Sequence, residues 1–506
     1  MSGKREYGDY QTPVEFAERF CRYLREYHHI HPSAVVEPTC GVGGFIKSSL
    51  MFGAAEYYGI EINPEYCEIC KNSINDSRVR IINADFFAFS SRALIKDRRR
   101  VLVIGNPPWV TNSTLSALGS GNLPVKTNFK GLKGIDAITG AGNFDICESI
   151  ILKLLDEYRD TNTAVAMLCK TSVARNVFRE LNRSGIAFLS CDMVEFDAAK
   201  VFGISASACA LVIQLSDKPA SSDICNVYDF DSPETVRSRI RYRNGQLYSR
   251  FDTKTDDFDG RCCFEWRQGV KHDCSRVMEL TMREGMLQNG EKKAVQVEDD
   301  IVFPLVKSSM LKGPVIHSFS KFVIVTQKKA REATEHLRQE VPKTWEYLND
   351  NKEWFEKRKS SIYRGAPPFS MFGVGDYSYA KYKVGVSGFY KRPLFSVLYS
   401  DDGKPVMMDD TGYFISFDRY DMAYTAMLLL NSERVQGFLA GIAFPDAKRP
   451  YTKKVLERID FDKIVDSLSF DELMKTEESL KLSHYVTLSM YGSFKALLGI
   501  GQMRFA

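Results

Sequence analysis

Residues Asn106-Pro107-Pro108-Trp109 stop the apolar run VLVIG with an amide, two prolines and an indole. Proline fixes φ and has no backbone N–H, so a strand's ladder ends there and a carbonyl is held in one place. An amide, a rigid carbonyl and an aromatic face at a strand end form a hydrogen-bonding and stacking set. Three other apolar runs end in comparable groups. Glu37-Pro38-Thr39-Cys40-Gly41-Val42-Gly43-Gly44 follows AVV, and Gly41 and Gly43 let the backbone approach a ligand. Glu61 follows YYGI, where a carboxylate can accept both hydroxyls of a ribose. Asp85 beside Phe86 follows VRIINA and pairs an acceptor with an apolar ring, which suits adenine and its amino group. Each group alone also fits a plain turn or cap, but four at one sheet edge point to a nucleoside. The phosphate-loop pattern GxxxxGK[ST] is absent.

The elements that must position these groups are legible as a period. The runs AVVEP, YYGIEI, VRIINAD, VLVIGNPP, TAVAMLCK, DMVEF and ACALVIQL alternate with helical patterns such as PEYCEICKNSI, FDICESIILKLLDEY and SVARNVFREL. This predicts a doubly wound, Rossmann-like α/β domain over residues 1–215. The turn-forming SDKPASSD then reads as a linker, giving a linker and transition over 216–250 and a mixed α+β second domain over 251–506. With 506 residues, 44% hydrophobic and 26% charged, the chain has the composition of a globular protein of two or more domains. Residues 110–142, rich in Gly, Ser, Thr and Asn and carrying Lys126, Lys130 and Lys133, predict a long functional loop behind NPPW. Twelve cysteines without a framework read as reduced thiols, and Cys67 and Cys70 as neighbours on a helix rather than metal ligands. No apolar run reaches the ~18 residues of a membrane span. The polar start MSGKREYGDY lacks the core of a signal peptide, so a cytoplasmic protein is expected.

This set resembles the S-adenosylmethionine-dependent amino-methyltransferases of DNA. NPPW fits their motif [DNS]PP[YFW] and follows the cofactor motifs in the order of the gamma class of adenine-N6 enzymes. The resemblance covers roughly residues 7–215, from YGDYQTPVEFAERFCRYL to KVFGISASACALVIQL. It implies that Thr12, Glu37, Pro38, Gly41 and Gly43 line the methionine part of S-adenosylmethionine, with Asn106 at its border. It implies that Glu61 holds the ribose, that Asp85 and Phe86 hold the adenine, and that the helix from Phe144 to Ile150 closes that ring's other face. It also implies that Phe202 stacks on the target base, opposite Trp109. The chemistry follows: an exocyclic amine on a purine is a poor nucleophile because its lone pair is delocalised. If Asn106 and the Pro107 carbonyl accept its two protons, the nitrogen turns tetrahedral and its lone pair can face the sulfonium methyl. Prolines preorganise that carbonyl, and Trp109 offers a face to a base rotated out of the duplex.

Related enzymes use NPP and an aromatic residue on protein glutamine or on rRNA, so the acceptor must be read from the rest of the chain. Charge does not announce it: net charge is +4, with 24 Lys+Arg against 23 Asp+Glu in residues 1–215 and 44 against 41 beyond. The large carboxy-terminal half favours a sequence-reading domain on double-stranded DNA. There Lys357, Arg358, Lys359, Arg364 and Lys381 interleave with aromatics including Tyr377 and Tyr379, a composition suited to phosphates and bases. The expected partners are double-stranded DNA and any cognate restriction endonuclease as a separate protein, the enzyme being a monomer or weak dimer. A fused restriction-methylation enzyme is the alternative of another class, but no nuclease constellation is legible.

Overall fold

Seven runs pair into one sheet: β1 (Ala34–Glu37), β2 (Glu56–Glu61), β3 (Val79–Asn83), β4 (Val101–Gly105), β5 (Ala164–Lys170), β6 (Phe188–Asp197) and β7 (Ser207–Leu215). The computed structural model describes residues 10–95, 100–110, 145–250 and 257–502. The chain divides into two units, Met1–Phe251 and Asp252–Ala506. In the first, these strands lie in the order β3-β2-β1-β4-β5-β7-β6. All neighbours from β3 to β5 are parallel, and β7 runs antiparallel to both β5 and β6. Every residue of β1 and β4 is buried, as expected of central parallel strands covered on both faces. The chain winds from β1 outward to β3, then returns to place β4 on the other side of β1. The carboxyl ends of β1 and β4 therefore flank the crevice where open α/β sheets bind ligands.

Residues 216–250 are not a linker. They form β8 (Ile224–Asp229), β9 (Ser232–Arg243) and β10 (Gln246–Tyr248), which extend the same sheet beyond β6 to ten strands. SDKPASSD is only the turn into β8. The strands behind it bury Cys225, Val227, Ile240 and Leu247, and β8 pairs parallel to β6 from Asp192↔Asn226 to Glu195↔Asp229.

Helix α1 (Val14–Tyr27) carries Phe16, Ala17, Phe20, Cys21, Tyr23 and Leu24 on its buried face, each large side chain contributing about 1.5–3 kcal/mol on burial. A short α2 (Gly44–Ser49) follows the glycine turn. Helix α3 (Pro64–Ser73) starts because Asn63 caps it, its side chain accepting from Glu65 and Tyr66 N–H, with Pro64 at the first position. Cys67 and Cys70 are both buried on α3, and Cys70 packs with Cys40 and Ile46. Three more helices complete the frame of the site: α4 (Ile146–Glu157), α5 (Thr171–Ser184) and α6 (Ala198–Phe202).

The second unit is mixed. One five-stranded sheet is built around Tyr382–Ser387 and Gly412–Phe417, and another around Lys321–Ile324 and Val302–Val306. Helices Tyr420–Asn431, Glu433–Ile442 and Phe470–Ser479 follow in sequence, the first almost wholly buried. The segment 111–142, with Lys126, Lys130 and Lys133, lies outside the described residues. No helix among the described residues is long and apolar enough to cross a membrane.

Candidate active site

Two carboxylates organise the sheet edge. Glu37, at the end of β1, is 3% exposed and accepts a hydrogen bond from Ile46 N–H in α2 at 3.0 Å. Burial holds its carboxyl well above the usual Glu range, while the Ile46 amide pulls the other way. Glu61, at the end of β2, joins two turns: one oxygen accepts from Gly41 N–H at 2.9 Å, the other from Asn63 N–H at 2.8 Å. Gly41 and Gly43 sit at φ +52° and +86°, and a Cβ on Gly43 would stand 2.3 Å from Cys70 Sγ, so only glycine fits there. The main chain of Thr12 lies against this turn, its carbonyl 3.0 Å from where a Cβ on Gly44 would stand. Beside Pro38, the Thr39 hydroxyl is buried and has no hydrogen-bond partner among the described residues. A Cβ on Gly105 would stand 3.4 Å from Glu37 Cγ and 3.5 Å from Pro38 Cδ, so the ends of β1 and β4 meet.

At β3 the picture differs in part from expectation. Asp85 is exposed and accepts from Phe87 N–H at 2.9 Å. Phe86 is turned inward: it is 4% exposed, with the Lys153 ammonium 4.7 Å from its ring centre. Its ring is not an open face. The exposed apolar side chain at this edge is Ile62, 51% exposed just beyond Glu61, its carbonyl accepting from Asn83 Nδ2 at 3.0 Å. Nothing in the sequence distinguished Ile62 from the buried Ile60 two residues before it.

Asn106 follows β4. Its Nδ2 donates to the Tyr10 carbonyl at 2.8 Å, and its Oδ1 is buried with no partner among the described residues. Trp109 is 7% exposed, and its Nε1 is also buried without a partner. Trp109 and Phe202 do not flank an open slot. Their rings meet edge to face at 5.6 Å, and Tyr10 stands 6.2 Å from both. Apolar rings in water close on one another rather than hold a void. Behind the turn, Lys170 at the end of β5 donates to the Trp109 carbonyl at 3.4 Å and pairs at 2.6 Å with Asp145, the buried cap of α4. Ile146 N–H donates to the Val110 carbonyl at 2.9 Å. The turn and the start of α4 are thereby pinned together, a role for Lys170 and Asp145 that sequence reading missed.

In the second unit the basic residues singled out from sequence fall into two groups. The Arg358 guanidinium serves the fold: it donates to the carbonyls of Ser370 at 2.6 Å, Phe355 at 3.1 Å and His272 at 3.3 Å, and lies 3.8 Å over the Tyr363 ring. Lys357 pairs with Glu353 at 2.8 Å. Tyr379 donates to the Gln327 carbonyl, and Tyr377 lies under Arg267. Lys359, Arg364 and Lys381 are exposed. Sequence reading missed Lys328, Lys329 and Arg331, exposed on a loop whose Glu332 carboxylate accepts the Lys328 and Lys329 amides instead of pairing with their side chains.

The switch point of the α/β sheet thus gathers two carboxylates, a glycine turn and an unfilled amide acceptor beside an aromatic cluster. Over 469 residues the chain is 36% identical to the type II methyltransferase M.NspV of Nostoc sp., covering 91% of this chain and 97% of that protein. The chain belongs to the type II methyltransferases. A shorter match, 24% identical over 172 residues, joins it to the type II methyltransferase M.CvrRI of Paramecium bursaria Chlorella virus XZ-6E, covering 34% of this chain and 38% of that one. Among solved structures, the type IIG restriction endonuclease BpuSI aligns with 92% of this chain and 60% of its own at 12% identity, with a TM-score of 0.34. No protein-family model matches the chain.

Proposed function

We propose that the protein methylates the N6 amino group of adenine at a specific sequence in double-stranded DNA, taking the base out of the duplex, as the modification enzyme of a restriction-modification system. The methyl donor is S-adenosylmethionine, which supplies an electrophilic methyl on a sulfonium. The residues present fit it. Glu37, the turn at Gly41 and Gly43, the partnerless Thr39 hydroxyl and the Thr12 main chain suit its amino-acid end. Glu61 suits the ribose, and Asp85 with Ile62 the adenine.

The observation that carries the reading is Asn106 Oδ1, a buried acceptor with no donor. A buried acceptor left unmade costs about 1–3 kcal/mol, so its retention calls for a ligand donor. An exocyclic amine supplies one N–H to Asn106 and one to the Pro107 carbonyl. Both bonds draw the nitrogen toward tetrahedral geometry, free its lone pair to take the methyl, and hold the proton that leaves for solvent afterwards. No covalent enzyme intermediate is needed. On the second unit, Lys359, Arg364 and Lys381, together with Lys328, Lys329 and Arg331, supply phosphate contacts.

Duplex DNA treated with methyl-labelled cofactor and digested to nucleosides tests the reading. Label in N6-methyladenine is expected. Label in N4-methylcytosine, or only in RNA or protein offered alongside, overturns it.

A further inference from the structure

Asn106 is useful as an acceptor only if its amide faces one way. The two orientations place either Nδ2 or Oδ1 against the Tyr10 carbonyl. With Nδ2 there, a 2.8 Å hydrogen bond forms; with Oδ1 there, two acceptors would meet and repel. The carbonyl therefore selects the orientation that leaves Oδ1 open. The same residue's ring lies 6.2 Å from both Trp109 and Phe202. Tyr10 is 37% exposed while Trp109 is 7% exposed, so Tyr10 is the outer member of the cluster. A base can stack on Trp109 only after a ring moves, and the outermost is the one that leaves without opening the core. Because Asn106 is held through the main chain, the ring can swing out with the anchor in place.

We propose that Tyr10 is the positioning residue of the amine site: its carbonyl orients Asn106, and its ring covers Trp109 until the acceptor base takes that place. This rests on the amine reading above, but it does not depend on which amine is methylated.

Asn106→Asp tests the anchor. When ionised, the carboxylate turns an acceptor toward the Tyr10 carbonyl. When protonated, it donates an O–H there and keeps one oxygen as acceptor, restoring the arrangement of the amide. Single-turnover rates of Asn106→Asp, normalised to wild type, should rise about tenfold or more as pH falls from about 8 to about 5. A flat ratio, or one falling with acidity, overturns the anchor. Tyr10→Ala tests the ring by a measurement that needs neither DNA nor cofactor. In protein labelled with 5-fluorotryptophan, the Trp109 fluorine signal, assigned with Trp109→Phe, should gain solvent exposure in Tyr10→Ala and keep its wild-type shift in Tyr10→Phe. Tyr10→Ala should also bind the duplex that wild type methylates about threefold or more tightly, since no covering ring must first leave. An unmoved Trp109 signal or unchanged affinity overturns the covering role. If wild type methylates a different amine, the N6 reading fails while these tests still report on Tyr10; if they fail with N6-methyladenine as product, only the Tyr10 reading falls.

Discussion

The edge of the ten-stranded sheet and the surface of the second unit use polar groups in opposite ways. At the edge, polar atoms are buried and left unsatisfied: Asn106 Oδ1, Thr39 Oγ1 and Trp109 Nε1 have no partner among the described residues. In the second unit the groups with the most evident charge are satisfied internally, Arg358 by three carbonyls and Lys357 by Glu353. A buried polar atom without a partner is a cost to the fold, and a place for a ligand's complementary group. A satisfied surface charge is neither. The contrast favours the edge as the place of the proposed chemistry and leaves the proposed phosphate contacts to exposed cations that form no ion pair among the described residues.

The largest effect should follow from removing the open acceptor. Asn106→Ala is expected to lose about 10²-fold or more in turnover, the cost of one preorganised transition-state hydrogen bond, with cofactor affinity nearly unchanged. Near-normal turnover in the folded variant would break the comparison at its stronger side. Arg358→Ala should instead cost roughly 2 kcal/mol of stability, because charge-assisted bonds to buried carbonyls are lost. Urea unfolding reads this, and a salt dependence of DNA binding that stays at the wild-type slope separates it from a phosphate contact.

Glu37 gives a pH-dependent effect. Desolvation raises its carboxyl pKa in the fold, so the folded chain holds the proton more tightly than the unfolded one. Stability from this group is present below the ordinary Glu value and falls as pH rises through the window up to the raised value. A cationic ligand favours the ionised form, so cofactor affinity should rise with pH in the same window and binding should release a proton. Calorimetric titration in buffers of different ionisation enthalpy detects that proton, and Glu37→Gln should abolish its release. The smallest effect is expected on the surface. Neutralising Lys328, Lys329 and Arg331 should lower the slope of log affinity against log salt by roughly 0.9 for each genuine phosphate contact. An unchanged slope would leave that loop a solvated face.

What sequence made legible was set by strand ends. Glu37, Glu61, Asp85 and Asn106 each stand at or just beyond the end of an apolar run that pairs as a strand, and parallel strands bring their carboxyl ends to one edge. Groups that act across the chain were not legible. Tyr10 meets Asn106 over a separation of 96 residues, Lys170 meets the Trp109 carbonyl over 61, and Arg358 meets His272 over 86. No local pattern marks such pairs. The strands β8 to β10 were hidden for another reason: β9, between β8 and the short β10 at the sheet's end, has many exposed residues, so its apolar alternation is thin, and the turn before β8 carries stronger punctuation than the strands carry pattern.

The central claim is that Asn106 presents an acceptor to adenine N6 in DNA. Sequencing DNA with detection of modified bases, from cells expressing either the wild-type protein or Asn106→Ala, tests it most directly. The account predicts N6-methyladenine at one short recurring sequence with the wild type and its loss with the variant. Methylated cytosine at such a site, or equal adenine methylation by both proteins, would contradict it.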